Sequence, residues 1–231
     1  MTTLDILYED NHLLVLNKPA GLATMGVAAD VPSLLALAKA YIARKYHKPG
    51  NVYLGAMSRL DAPVTGVVLF ARTSKAAARL TEQFRTRAVD KTYWAVVSGA
   101  APASGTCVDW LIKDERHRKM HVVEQTRSGA AEARLSYRRL AKLPHGALLQ
   151  VMLETGRKHQ IRLQLASRNM PVVGDRKYGS TVAFRAGIAL HARSLRIAHP
   201  TRGEAMIFTA PVPQTWRALQ LPADFSGETT P

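Results

Sequence analysis

Ser58-Arg59-Leu60-Asp61-Ala62-Pro63-Val64-Thr65-Gly66 runs directly into Val67-Val68-Leu69-Phe70-Ala71. The second half is an unbroken apolar run of strand length, and the first half is a polar turn braced by Pro63. A lone carboxylate beside an arginine, held on such a turn ahead of a strand, is how a fold presents one acid rigidly at the mouth of a cleft. Asp61 is therefore the candidate reactive group. In isolation Arg59 and Asp61 read better as a turn ion pair punctuated by proline, so the decision rests on the rest of the chain.

Composition narrows the classes. The 231 residues are 47% hydrophobic, enough to bury one sizeable core, and a single globular unit is expected. Lys and Arg number 32 against 17 for Asp and Glu, a formal charge of +15. A surface that basic suits polyanions, nucleic acid first. No stretch approaches a transmembrane span and no long basic amphipathic helix stands out, which argues against a membrane partner. The start, Met1-Thr2-Thr3-Leu4-Asp5, has no charged region followed by an apolar one, so export is not expected. The one cysteine, Cys107, allows no internal disulfide and fits a reducing cytoplasm.

In chain order, Leu4 to Tyr8 and His12 to Leu16 read as strands around a Glu9-Asp10-Asn11 turn, with Asn17-Lys18-Pro19-Ala20-Gly21 breaking the second. Ser33 is placed to cap a helix whose apolar face carries Leu34, Leu37, Ala38, Tyr41 and Ile42. It ends in Arg44-Lys45-Tyr46-His47-Lys48, cations that the helix dipole accounts for as a solvated face. Ser74 is the expected cap of a second helix, Lys75 to about Arg87, with Leu80 and Phe84 inward. Strands are expected over Asp90 to Gly99, Cys107 to Ile112, Lys119 to Val123, Ala133 to Leu140 and Leu148 to Leu153, then around Ala189 to Ile197 and Ala205 to Phe208. A short helix near Trp216 precedes a frayed tail from residue 222. His117 and His121 lie among cations with no Cys or acidic set at ligand spacing, so no metal is expected there. Packing or hydrogen bonding is the expected role of His191 and His199.

Three motifs recur in a fixed order. The loop Arg59-Leu60-Asp61 with Thr65-Gly66 is followed by Lys91-Thr92-Tyr93-Trp94-Ala95-Val96-Val97-Ser98-Gly99. Then comes Thr155-Gly156-Arg157-Lys158-His159-Gln160-Ile161-Arg162, with Pro171-Val172-Val173-Gly174-Asp175-Arg176-Lys177-Tyr178-Gly179 behind it. Gly156 can turn the backbone out of a strand, and Ile161 and Leu165 are spaced to anchor one helical face, leaving Arg157 and Arg162 for a cleft. Together with Asn17-Lys18-Pro19-Ala20-Gly21, the set resembles the RNA pseudouridine synthases of the RluA family over nearly the whole chain. Ser58 stands where that family usually has histidine, Ala62-Pro63-Val64 departs from the commoner loop, and Gln164 replaces a second histidine. On that resemblance, the small S4-type RNA-binding domain that many relatives carry is not expected here.

The resemblance implies a mixed α/β fold, a single catalytic domain over residues 1–221 with a central, mainly antiparallel sheet, flanking helices and a basic cleft. It implies an RNA uridine-to-pseudouridine isomerase without cofactor or metal, acting on transfer RNA, ribosomal RNA or both, as a monomer with no obligate protein partner. Asp61, Tyr93 and Arg162 take the catalytic roles: Arg162 pairs with Asp61, and Tyr93 lies against the base. Arg59, Arg157 and His159 bind substrate, Arg59 filling the space left by the flipped nucleotide. The alternatives are a catalytically silent RNA-binding or remodelling protein, whose sign would be loss of Asp61, Tyr93 or Arg162, and a glycoside or nucleoside hydrolase, which wants a second carboxylate beside Asp61.

Overall fold

In a computed structural model that describes residues 4–28 and 30–225, the first two strands form a hairpin, β1 (Ile6–Glu9) antiparallel to β2 (Leu13–Lys18). Asp10 makes its turn by accepting the backbone N–H groups of His12 and Leu13, each at 2.7 Å. The Asn17-Lys18 pair, expected to break the second strand, completes it instead. The chain leaves the ladder at Pro19, which has no N–H to donate.

Helix α1 (Leu34–Lys45) begins at Ser33 as expected, the serine Oγ accepting Ala36 N–H at 3.2 Å, and buries Leu34, Ala38 and Ile42. After β3 (Gly55–Ala56) comes β4 (Thr65–Ala71), every residue of which is buried. Helix α2 (Ser74–Arg85) is capped by Thr73 rather than Ser74, the threonine hydroxyl accepting Ala76 N–H at 3.1 Å. Two adjacent hydroxyl residues are equivalent cap signals in sequence, and Thr73 has the extended backbone a cap needs.

The remaining elements are β5 (Asp90–Ser98), β6 (Ser104–Asp114), β7 (Lys119–Val123), β8 (Ala131–Leu143), β9 (Gly146–Leu153), α3 (Gln160–Ala166), β10 (Leu190–Ala198) and β11 (Ala205–Thr209). β6, β8 and β9 outrun their apolar patterns. The β6–β8 ladder continues through Ser104↔Arg138, where backbone pairing needs no apolar side chain.

The chain makes two compact units. The first comprises Met1–Asp90 and Ala192–Ala210. Its strands run β1-β2-β4-β10, with β3 beside β4 and β11 beside β10, over a core that includes Leu13, Val15, Leu69, Leu80, Leu195 and Phe208. Gly66 lies at φ +111, and a Cβ there would stand 2.3 Å from the Ala192 carbonyl oxygen, so only glycine lets the start of β4 come this close to β10. The second unit, Lys91–His191 and Pro211–Pro231, is an antiparallel sheet in the order β5-β9-β8-β6-β7, with α3 packed over Leu111, Met120 and Ala133 through Leu163. The architecture is the expected mixed α/β type with extensive antiparallel sheet. Among the described residues no helix is long and apolar enough to cross a membrane.

At the C-terminus the expected helix is a 3-10 turn, Gln214–Leu219, with Trp216 buried and its ring 5.9 Å from that of His191. Within the tail expected to fray, Ala223–Phe225 forms a further 3-10 turn with Phe225 packed edge-on 5.7 Å from Trp94. Residues 226–231 lie outside the described residues.

The Asp10 turn carries a pH dependence. Burial alone would raise its carboxyl, but the His12 and Leu13 N–H donors, with His199 at 2.8 Å and the Tyr8 hydroxyl at 2.9 Å, outweigh that and hold it at about 2. A depressed carboxyl contributes stability above its unfolded pKa, here the ordinary 3.8, and loses it as pH falls towards 2. Asp10→Asn should therefore cost about 1–2 kcal/mol at pH 7, allowing for partial solvent screening. The difference from wild type should shrink to nothing between pH 4 and 2 in urea unfolding.

Candidate active site

The loop that ends in Asp61 is held by the segment Lys18–Thr24 of the same unit. Thr24, buried, donates its hydroxyl to the Leu60 carbonyl at 2.9 Å and accepts Leu60 N–H at 3.0 Å. Gly21 N–H reaches the Ala62 carbonyl at 2.8 Å, and Val64 N–H closes a turn onto the Asp61 carbonyl at 3.0 Å. Ser58, where the resembled family has histidine, accepts Leu69 N–H from β4 at 3.0 Å, which fixes the loop to its strand.

Lys18 is the most unusual side chain here. It is 1% exposed, and its ammonium donates to the carbonyls of Pro19 and Leu22, both at 2.7 Å, and of Ala62 at 3.0 Å. Burial lowers its pKa to about 8, against the pull of the nearby Asp61 carboxylate, which favours the charged form. Thus a cation whose three protons are all committed to carbonyls sits under the Asp61 loop. Asp61 is partly exposed and Arg59 exposed.

The second unit holds the other expected residues. Tyr93 is on β5 opposite Val151 of β9. The turn into α3 is closed by the Gln160 side chain, whose Oε1 accepts from the Thr155 hydroxyl at 2.8 Å and Arg157 N–H at 2.9 Å while its Nε2 donates to the Arg134 carbonyl at 2.9 Å. This leaves His159 in the left-handed region at φ 53, with Nδ1 2.7 Å from the Tyr178 hydroxyl. Arg162 is 5% exposed and pairs side-on with Asp175, Nε to Oδ2 at 2.6 Å and Nη2 to Oδ1 at 2.9 Å. Its guanidinium also lies 5.1 Å over the Tyr178 ring. Arg157 is exposed and donates Nε to the Glu132 carbonyl at 2.9 Å.

Asp61 and Arg59 thus belong to the first unit, and Tyr93, Arg157, His159 and Arg162 to the second. Within the second, His159 and Arg162 converge on Tyr178, and the segments Thr155–Arg162 and Gly174–Gly179 interlock through His159–Tyr178 and Arg162–Asp175. Sequence reading gave no individual role to Lys18, Thr24, Gln160 or Asp175, although Lys18, Gln160 and Asp175 lie within the motifs quoted above. Gln164, the other departure from the resembled pattern, is buried and donates Nε2 to Asp109 at 2.7 Å and to the Ala133 carbonyl at 3.1 Å, tying α3 to the sheet. His117 lies 2.6 Å from Asp114, and its ring and backbone N–H pull that carboxyl down to about 2. Among the described residues no group of His, Cys, Asp and Glu is placed to hold a metal ion.

A family model described as RNA pseudouridylate synthase matches residues 12–167, and the chain belongs to this family of RNA uridine isomerases. Ribosomal large subunit pseudouridine synthase D of Xanthomonas campestris pv. campestris is 36% identical over 231 residues, covering 94% of this chain and 68% of that protein. The protein of the same name from Pseudomonas aeruginosa is 34% identical over 230 residues, covering 91% and 69%. This chain therefore spans about two thirds of their length. Among solved structures, human RNA pseudouridylate synthase domain containing 4 matches with a TM-score of 0.78 at 25% identity over 94% of each chain.

Proposed function

We propose that this chain converts uridine to pseudouridine in structured RNA, with Asp61 as the reacting carboxylate. The observation that carries the reading is a single acid on a loop clamped at Leu60 and Ala62, with the buried Lys18 ammonium close enough to act on it. The reaction breaks the N1–C1′ bond, turns the uracil and joins C5 to C1′, the proton lost from C5 being balanced by one gained at N1. Nothing is oxidised and no group is donated. Asp61 either attacks C1′ or removes a proton to open a glycal route; on both, a fixed carboxylate stabilises positive charge developing on the sugar.

By the family pattern Arg162 is the cation that holds Asp61 ionised and aimed. Its side-on pairing with Asp175 suits that task, because it fixes the guanidinium plane. Tyr93 lies against the base, Arg157 and His159 bind the RNA, and exposed Arg59 fills the gap the flipped nucleotide leaves. Both bacterial relatives carry the large ribosomal subunit in their names, so ribosomal RNA is the first substrate class and transfer RNA the second.

The test is to incubate the purified chain with unmodified ribosomal and transfer RNA transcripts, map pseudouridine in each, and compare total RNA from cells with and without the gene. Site-specific pseudouridine in at least one RNA is the expected result. RNA binding without any pseudouridine would leave the silent RNA-binding reading in its place.

A further inference from the structure

The C-terminal end of α1 offers more than the helix dipole explains. Glu9 accepts from the Tyr41 and Tyr46 hydroxyls and the Lys45 ammonium, all at 2.7 Å, and from Arg72 at 3.2 Å. The carboxylate that organises this cluster is only 8% exposed, so its charge is spent inwards. Arg72, itself 7% exposed, lies 4.5 Å over the Tyr46 ring and backs it. Outwards the cluster presents Tyr46 at 41% exposure, Tyr53 at 50%, and the cations Lys45, Lys48 and Lys75.

Three features argue for a ligand surface rather than a solvated helix end. Among the described residues Tyr46 and Tyr53 are the only exposed aromatic side chains, and they fall within one short segment. Both flank the β4–α2 turn: Tyr46 through Arg72, and Tyr53 through Gly55, which pairs with Ala71 and whose added Cβ would stand 3.1 Å from the Tyr53 hydroxyl. Lys75, on the first turn of α2, lies on a different helix from Lys45, so the α1 dipole does not account for it. Exposed rings among lysines, with the one bonded carboxylate turned inwards, are the chemistry that stacks on unpaired bases and neutralises phosphates.

We infer that this surface, Tyr46, Lys48, Tyr53 and Lys75, grips RNA away from the target uridine. The inference rests on the proposed RNA substrate and extends it to a second contact. Asp61 lies just before the start of β4 and the surface lies at its Ala71 end, so the seven residues of β4 place the two about 20 Å apart. A substrate must therefore carry a flanking segment long enough to span that distance.

The test uses the full chain, Lys48→Glu/Lys75→Glu and Tyr53→Ala. The probes are a fluorescein-labelled stem-loop RNA reaching ~20 Å or more from its loop uridine, and the same loop with its stem trimmed short. For the long RNA the charge-reversal pair should weaken binding about tenfold or more and reduce the log–log salt slope by about 1.5, as expected for two lost phosphate contacts. Tyr53→Ala should weaken it about fivefold or more, with the salt slope unchanged. On the trimmed RNA all three proteins should bind alike, and turnover at saturating long RNA should match wild type. Wild-type affinity in both variants on the long RNA would overturn the inference. An equal loss on both RNAs would also overturn it, because it would report only overall charge. If wild type binds both RNAs as described but forms no pseudouridine, the functional reading fails and the surface stands.

Discussion

Asp61→Asn is expected to reduce single-turnover pseudouridine formation by at least about a thousandfold while leaving the fold and RNA affinity close to wild type. The substitution preserves shape and removes the charge. The loop around it is held through its backbone: hydrogen bonds run from Thr24 to Leu60 and from Gly21 and Lys18 to the Ala62 carbonyl, and Val64 bonds the Asp61 carbonyl. A second readout comes from Lys18. The carboxylate favours its charged form, so in Asp61→Asn the ammonium should titrate below its value of about 8. Loss of activity with an unchanged melting temperature and a lowered lysine pKa, followed by NMR, would place Asp61 at the chemistry and Lys18 beside it. A variant turning over at close to the wild-type rate would end the assignment.

What could be seen in advance follows from the range of the interactions. The apolar run of β4, the cap at Ser33 and the alternation of β5 are local, and periodicity or a neighbouring hydroxyl announces them. The acid was legible because Asp61 stands alone among polar and turn residues. Its supports were not. Lys18 meets Ala62 and Thr24 meets Leu60 across intervals of 44 and 36 residues, and no spacing rule within one sequence connects them. Gln160 closing the turn before α3 looks like any polar residue at a helix start, and only the folded loop shows its amide answering three backbone and side-chain groups. The cap of α2 failed for a narrower reason, the choice between two adjacent hydroxyls. Tyr46 and Lys45 were legible as a helix end but not as a surface, because Arg72 and Lys75 arrive from after β4.

The second large effect concerns Arg162 and Asp175. Both are buried, and removing either member breaks a buried, hydrogen-bonded ion pair; Arg162→Met or Asp175→Leu should each destabilise the protein by about 3–5 kcal/mol. Either single variant would also be slow, so activity alone would not separate a structural pair from a catalytic arginine. The double variant Arg162→Met/Asp175→Leu separates them. Replacing a buried ion pair by apolar groups of similar volume is often neutral for stability, so much of the loss should be recovered. If the arginine serves only to pair with Asp175, single-turnover activity should recover with stability. If it also holds Asp61 ionised, the double variant should fold well and remain at least about a hundredfold slow. Recovery of both rate and melting temperature would move the role to another cation, with Arg157 the first to test.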